Sequence, residues 1–539
     1  MQAQIPPETS YRPDNVTDHI FEEFCQQSTE SLVHFVLDHY KRLREGAGAV
    51  TTHDKAEMDF KLRLVVIILE ARRLKLRQLV WELPPEVLSI IFTFVCHGAD
   101  DVYPTTLPRV FRLSFVCKRW HTIVVSMPSL WSSLSISFGT WKSDLERLER
   151  IVSTFLARSK SSPLSLKLNV MGGGEGPLKT KASKTCIAIL RSLVRHSDRW
   201  QRLEFRVSQY GLRHPVLQPI IGRMPILREL RLTGVDEPDL FKESISPCDS
   251  RALFSACPSL THVLINGWIL ESELDLPWSQ IRTLELQVIY CLPELTAVLA
   301  LCPRVEKLRL NDVAVFEEPE DDLVDPVSPI PSIKHLSTVL SDDAGHTFYY
   351  LNLPELRSLR LEGFWSGQTW NTKDIHIDSF LERSSCTIIS LSLITCPLSD
   401  RETISLLQTI PSLEYLRVEE QQWMWSRTDP KHRVVTTFFW KSLVADVATT
   451  SSCIVPSLKE LTLTFHGGDL DENALLDALM HRSNPNAGGV VACLNRIGLE
   501  IAGETPTEKM KESLVGIEKD FKLKGSTFSV KYSSNPNAC

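Results

Sequence analysis

From about Leu130 to the end of the chain one hydrophobic pattern keeps returning, often a proline and then Leu-x-x-Leu-x-Leu or a close variant. It runs from Leu130 to Ile136, Trp200 to Phe205, Leu227 to Leu232, Leu260 to Ile265, Ile281 to Leu286 and Val305 to Leu310. It returns from Leu356 to Leu361, Ile388 to Leu393, Leu413 to Val418, Leu458 to Leu463 and Leu494 to Leu499. A weaker copy begins at Ile333, and Leu164, Leu166 and Leu168 form a strand of the same series. Two aliphatic residues separated by one lie on the same side of a strand, so each copy predicts a short strand with one buried face. The intervening segments alternate at helical period, as in Leu292 to Leu301 and Thr403 to Ile410.

Self-similarity at a spacing of roughly 21 to 45 residues with this internal pattern is the signature of leucine-rich repeats. A strand and a helix per repeat, stacked in parallel, predict an α/β solenoid with strands inside, helices outside and a continuous core. The array closes with a helix opened by Thr505-Pro506-Thr507-Glu508, a capping-box spacing with proline in the first turn. That helix buries Met510, Leu514, Ile517 and Phe521, and a last strand, Phe528 to Tyr532, covers the open edge. Residues 317–331, acidic and broken by Pro326, Pro329 and Pro331, read as a solvated loop.

Upstream the pattern is helical. The first thirteen residues are expected to be disordered. Residues 14–80 predict helices, one from about Val16 to Glu45 and another from Asp54. The second carries Met58, Leu62, Val65, Val66, Leu69, Leu76 and Leu79 on one stripe, for packing within the chain or for self-association. In Leu83 to Val95, Glu86, Ser89 and Thr93 share one narrow stripe and the remaining circumference is apolar. Such a helix must be buried nearly all round, and a unit this small cannot hide it alone. An exposed apolar patch of this kind marks an interaction site. A second apolar stretch at helical spacing, Val110 to Val125, ends before Pro128.

The segments LPPEVLSIIF, LSFVCKRWHTIV and MPSLWSSLSI resemble the F-box of large fungal families in which an aromatic-rich strand leads directly into leucine-rich repeats. The insertion His97 to Thr106 departs from that pattern and lengthens a loop. The resemblance implies a three-helix F-box over residues 81–128 and a repeat array over residues 129–539. It implies a substrate receptor of an SCF-type ubiquitin ligase, docked on a Skp-type adaptor and through it on a cullin-RING assembly. By residue match the adaptor-facing positions are Leu83, Pro84, Val87, Leu88, Ile91, Leu113, Val116, Cys117, Lys118 and Trp120. Some of these must instead form the box's own core. The rival class is a repeat scaffold that binds partners without a ligase.

An unknown protein client would meet the outward residues of the strands. Arg231, Arg309, Arg360 and Arg417 recur at one strand position, giving either a basic stripe or, with Glu285 at the same position, a mixed-charge face. The loops after the strands hold Trp268, Trp365, Trp370, Trp423 and Trp425, which read either as a recognition rim or as aromatics packed against neighbouring loops.

Composition narrows the remaining classes. Across 539 residues, 43% are hydrophobic, 23% charged, and the net charge is −7, which argues against a general nucleic-acid binder. The 13 cysteines include no CxxC pair, so neither a zinc site nor a disulfide framework is expected. Cys257, Cys302 and Cys396, each before a proline, read as small buried hydrophobes in a reducing compartment, cytoplasm or nucleus. The start shows no signal peptide, and the most apolar run, Leu64 to Leu69, is too short to span a membrane. Gly172 to Thr180 resembles a phosphate loop only superficially, because Pro177 and Leu178 separate the glycines from Lys179. No HExxH or GxSxG motif stands among the residues, so no cofactor, metal or catalytic centre is expected.

Overall fold

The computed structural model describes residues 83–96, 101–102, 108–141, 144–170, 180–234, 250–266, 274–289, 292–313, 328–340, 348–349, 351–363, 370, 375–420, 433–444, 453–467, 470–483, 491–502, 507–523 and 525–533. The helices expected from Val16 and from Asp54 lie outside these residues, as does the acidic stretch from Glu317 to Asp325. The chain divides into two compact units, residues 1–95 and 96–539. In the first, α1 spans Pro85–Val95, with Glu86 in the first turn where a carboxylate complements the helix dipole.

The second unit contains a parallel sheet whose strands follow one another in chain order. They are β1 (Asp101–Val102), β2 (Ser133–Ser137), β3 (Leu164–Asn169), β4 (Trp200–Val207) and β5 (Glu229–Gly234). Next come β6 (His262–Asn266), β7 (Thr283–Ile289), β8 (Lys307–Val313), β9 (His335–Leu340) and β10 (Ser358–Gly363). The series ends with β11 (Ser390–Ile394), β12 (Tyr415–Glu419), β13 (Glu460–His466), β14 (Arg496–Ala502) and β15 (Thr527–Ser533). Strands β2 to β15 stand where the recurring pattern predicts them, and this stacking of strand and connection is solenoid-like. Register explains the pattern. Leu134, Leu166, Leu203, Leu230, Val263, Leu284, Leu308 and Leu336 pair in one unbroken row. Leu359, Leu391, Leu416, Leu461, Ile497 and Phe528 continue it. The second inward row is aliphatic or aromatic except at Thr338, which is fully buried with no partner for its hydroxyl. That substitution accounts for the weakness of the Ile333 copy.

Helices α2 (Arg109–Ser114) and α3 (Lys118–Ser126) precede β2. Between later strands lie α4 (Leu145–Ser159), α5 (Thr180–Val194), α6 (Leu292–Ala300), α7 (Ile377–Ser384), α8 (Asp400–Gln408), α9 (Thr437–Ser442), α10 (Glu472–Ser483) and α11 (Glu508–Leu523). A helix per repeat is therefore not the rule throughout. Before β6 and β7 the described connections are single 3₁₀ turns, Arg251–Phe254 and Trp278–Gln280. Pro258 and Pro277 lack the N–H that an α-helical ladder would need. Cys257 and Cys302 are buried as expected, their thiols pushed up to about 12 by burial.

Neighbouring repeats are tied by arginines that donate to backbone carbonyls. Arg199 Nε reaches Ser162 O at 3.1 Å, and Arg383 Nη2 reaches Phe348 O at 2.7 Å and Leu351 O at 2.9 Å. Arg482, buried, reaches Leu443 O at 3.0 Å through Nε, and Ile454 O and Val455 O at 3.0 and 2.9 Å through Nη2. Each planar guanidinium satisfies acceptors that a helix end or turn leaves open.

The closing helix α11 buries Met510, Leu514, Ile517 and Phe521 as the periodicity predicts, and Phe521 packs on Phe528 at 5.6 Å. Its cap is Thr507 rather than Thr505. Met510 N donates to Thr507 Oγ1 at 3.3 Å, and Thr507 N donates to Glu472 Oε1 at 2.8 Å. The helix thus starts later than the Thr-Pro-Thr-Glu spacing suggests.

Candidate functional site

Helix α1 sorts its apolar residues into two faces. Leu88 and Phe92, one turn apart, are buried. Val87, Ile90, Ile91, Phe94 and Val95, at spacings of three, four, seven and eight from the first, form one continuous exposed face. Phe94 is 77% exposed. The hydroxyls beside this face are satisfied internally: Ser89 Oγ donates to Pro85 O at 2.7 Å and Thr93 Oγ1 to Ser89 O at 2.8 Å. The stripe presents hydrocarbon where a solvated helix carries charge. Leu83, half-buried, and Pro84, exposed, lead into it. Leu88 is buried, against its resemblance-based place on a docking face, whereas Val87 and Ile91, matched in the same way, are exposed. Ile90, Phe94 and Val95 were not among the residues matched from sequence. The all-round apolarity of the segment was the signal for them.

In the second unit the stretch from Val110 to Val125 is broken. Phe115 ends α2, and Cys117 caps α3, its sulfur accepting from Trp120 N at 3.4 Å. The break sets Phe115 and Val116 into solvent, at 67% and 51% exposure. Leu113, Cys117 and Trp120 are half-buried and Lys118 is exposed. Phe115 was missed because helical periodicity does not show where a helix is interrupted. Behind this break, Trp131 is fully buried and packs edge-on against Phe111 at 5.3 Å and Phe155 at 5.4 Å. The Arg158 guanidinium lies 4.4 Å from its ring centre. The Pro-Ser-Leu-Trp turn thus fuses α3 to the sheet.

Within the His97–Thr106 insertion, Asp101 and Val102 pair in parallel with Ser135 and Ile136. The lengthened loop therefore supplies the first strand of the sheet, which a two-residue segment could not announce in sequence.

On the outward face of the sheet, Lys167, Glu204, Arg231, Leu264, Glu285, Arg309, Ser337, Arg360, Ser392 and Arg417 stand in one register row. The four arginines share that row, and each has a carboxylate: Arg231 with Glu229 at 2.7 Å, Arg309 with Glu285 at 3.5 Å, Arg360 with Glu362 at 3.1 Å and Arg417 with Glu419 at 3.0 Å. The row is a mixed-charge face rather than a basic stripe. Trp268, Trp365, Trp423 and Trp425 lie outside the described residues. Trp370 is buried, which agrees with the packed alternative rather than the rim at that position.

Glu420, at the end of β12, is a further residue that sequence reasoning missed. Its buried carboxylate accepts from Val434 N at 2.9 Å, Val435 N at 2.8 Å and His466 N at 3.3 Å. Burial nevertheless raises its pKa above the ordinary carboxylate value.

Among the described residues, no helix is long and apolar enough to cross a membrane, and no group of three or more His, Cys, Asp or Glu side chains is placed to hold a metal.

The F-box-like family model matches residues 80–137 of this chain, so the segment that carries both exposed apolar patches is an F-box-like domain. No curated protein matches the chain. A protein of known crystal structure from Bacteroides fragilis is similar at 14% identity over 68% of this chain and 88% of its own, with a TM-score of 0.26.

Proposed function

We propose that this chain is the substrate-recognition subunit of an SCF-type ubiquitin ligase, its F-box-like domain docking a Skp-type adaptor and its leucine-rich repeats holding the client protein. The observation that carries the reading is the exposed apolar stripe Val87, Ile90, Ile91, Phe94 and Val95 inside the F-box-like match. Covering a large apolar side chain stabilises a complex by about 1.5 to 3 kcal/mol. Five such residues on one helix face supply an interface core, and Phe115 and Val116 add a second contact on the downstream part of the domain. Leu83, Pro84, Cys117, Lys118 and Trp120 flank these anchors.

The long outward face of the sheet suits a client, because its polar, ion-paired rows offer many hydrogen-bonding groups on a rigid support. Ubiquitin transfer itself is the work of the cullin-bound partner enzymes, in the cytoplasm or nucleus. Affinity purification of the tagged chain under proteasome inhibition tests the assignment. Adaptor and cullin are expected in the eluate and are expected to disappear with Leu83→Ala and Pro84→Ala together. Undiminished recovery with that folded double variant overturns the docking mode. Partners recovered without adaptor or cullin favour the scaffold alternative.

A further inference from the structure

The strand entrances between β7 and β10 carry a group of cations that the paired arginine row does not include. Arg282 precedes β7, Lys307 opens β8, Lys334 and His335 enter β9, and Arg357 precedes β10. These are adjoining rungs. Glu306 N donates to Arg282 O at 2.9 Å, Lys334 N to Glu306 O at 2.9 Å, and Arg357 N to Lys334 O at 3.0 Å, while Lys307 stands directly opposite His335. Lys307, Lys334 and Arg357 are exposed. Among the described residues none of the three has an ion pair or a side-chain hydrogen bond.

The carboxylates nearby are few and partly engaged. Glu306 lies 3.7 Å from Arg282, Glu285 and Glu362 serve Arg309 and Arg360, and Glu355 sits on the turn before β10. Partial burial first, then the Lys307 ammonium, hold His335 below its ordinary value, with Glu306 opposing and Lys334 adding a smaller push. In a chain of net charge −7 this excess does not follow from composition.

We propose that this corner docks a carboxylate-rich segment of the client, an inference that rests on reading the repeat sheet as the client-binding part. Three strand spacings of about 4.8 Å make the corner about 14 Å wide, the length of four or five extended residues. Alternate side chains of such a segment fall on one side and meet successive cations. A nucleic acid fits the corner poorly, since Glu285, Glu306, Glu355 and Glu362 are interleaved with the cations and would oppose a continuous phosphate chain.

The test uses the purified full chain and a fluorescent peptide of about twelve residues alternating Glu and Ser, with Gln replacing Glu in its partner peptide. Polarisation is expected to show the Glu peptide binding and the Gln peptide at least about tenfold weaker. The Lys307→Ser, Lys334→Ser, Arg357→Ser variant is expected to lose about tenfold or more, while Arg202→Ser, Lys459→Ser, Arg496→Ser, equal in charge and away from this corner, keeps wild-type affinity. Equal binding by the first triple variant overturns the inference. So does an oligonucleotide that competes at this corner more strongly than the unlabelled peptide. Adaptor capture, read on the same samples, tests the receptor assignment separately: wild-type protein that holds adaptor but not the Glu peptide defeats this inference alone.

Discussion

Trp131 donates its indole N–H to the backbone carbonyl of Val124 at 2.9 Å, tying the turn that leads into the sheet to the last turn of α3. Both groups are buried, so the bond satisfies an acceptor that water cannot reach. Trp131 lies inside the F-box-like match, in the turn that leads directly into β2.

Trp131→Ala is therefore expected to cost about 3 to 5 kcal/mol locally, through the lost ring contacts with Phe111 and Phe155 and the lost indole hydrogen bond, Val124 O keeping Met127 N as a donor at 3.3 Å. Trp131→Phe keeps much of the packing and loses the hydrogen bond, a smaller cost of about 1 to 3 kcal/mol. Hydrogen exchange read by mass spectrometry over residues 118–137 checks both. Exchange is expected to accelerate at least about a hundredfold in the alanine variant and less in the phenylalanine variant. Equal protection in all three proteins contradicts the role given to Trp131.

Thr338 is the polar break in an otherwise apolar inward row, and its hydroxyl has no partner. Thr338→Val keeps the shape and the preference for a strand while removing the desolvated group. A gain of about 1 kcal/mol is expected, seen as slower exchange in β9 and a higher melting temperature. A lower melting temperature shows that the hydroxyl has a stabilising role.

Glu420 links stability to pH. Its folded pKa lies above the ordinary value because burial outweighs the three N–H donors, so the folded state binds the proton more tightly than the unfolded chain. The contribution is full below the ordinary carboxylate value and is lost as pH rises through the folded one. Glu420→Gln does not titrate, so the melting temperature of wild type minus that of the variant should fall from acid to neutral pH. A difference that rises with pH contradicts the assigned direction.

The strands were legible because the inward residues alternate with period two in every copy from Leu134 to Val530. Asp101 and Val102 were not, since two residues hold no period. Helices were overread where prolines such as Pro258 and Pro277 leave only a turn. The arginines Arg199, Arg383 and Arg482 carried no signal in the sequence because their acceptors are carbonyls from residues well separated in the chain. In the candidate site, sequence identified α1 as apolar all round but could not divide Leu88 and Phe92 from Ile90 and Phe94. Which side is covered depends on tertiary packing that a helical period does not encode. Phe115 became visible only through the break before Cys117.

The most direct measurement is the affinity of a purified Skp-type adaptor for the full chain and for the Phe94→Ser, Phe115→Ser variant, with melting temperatures taken in parallel. Both residues are largely exposed, so the variant should melt with the wild type while its affinity falls at least about a hundredfold. Undiminished affinity in a variant that melts like the wild type, or a wild-type chain that does not bind the adaptor, contradicts the proposal that these exposed faces dock it.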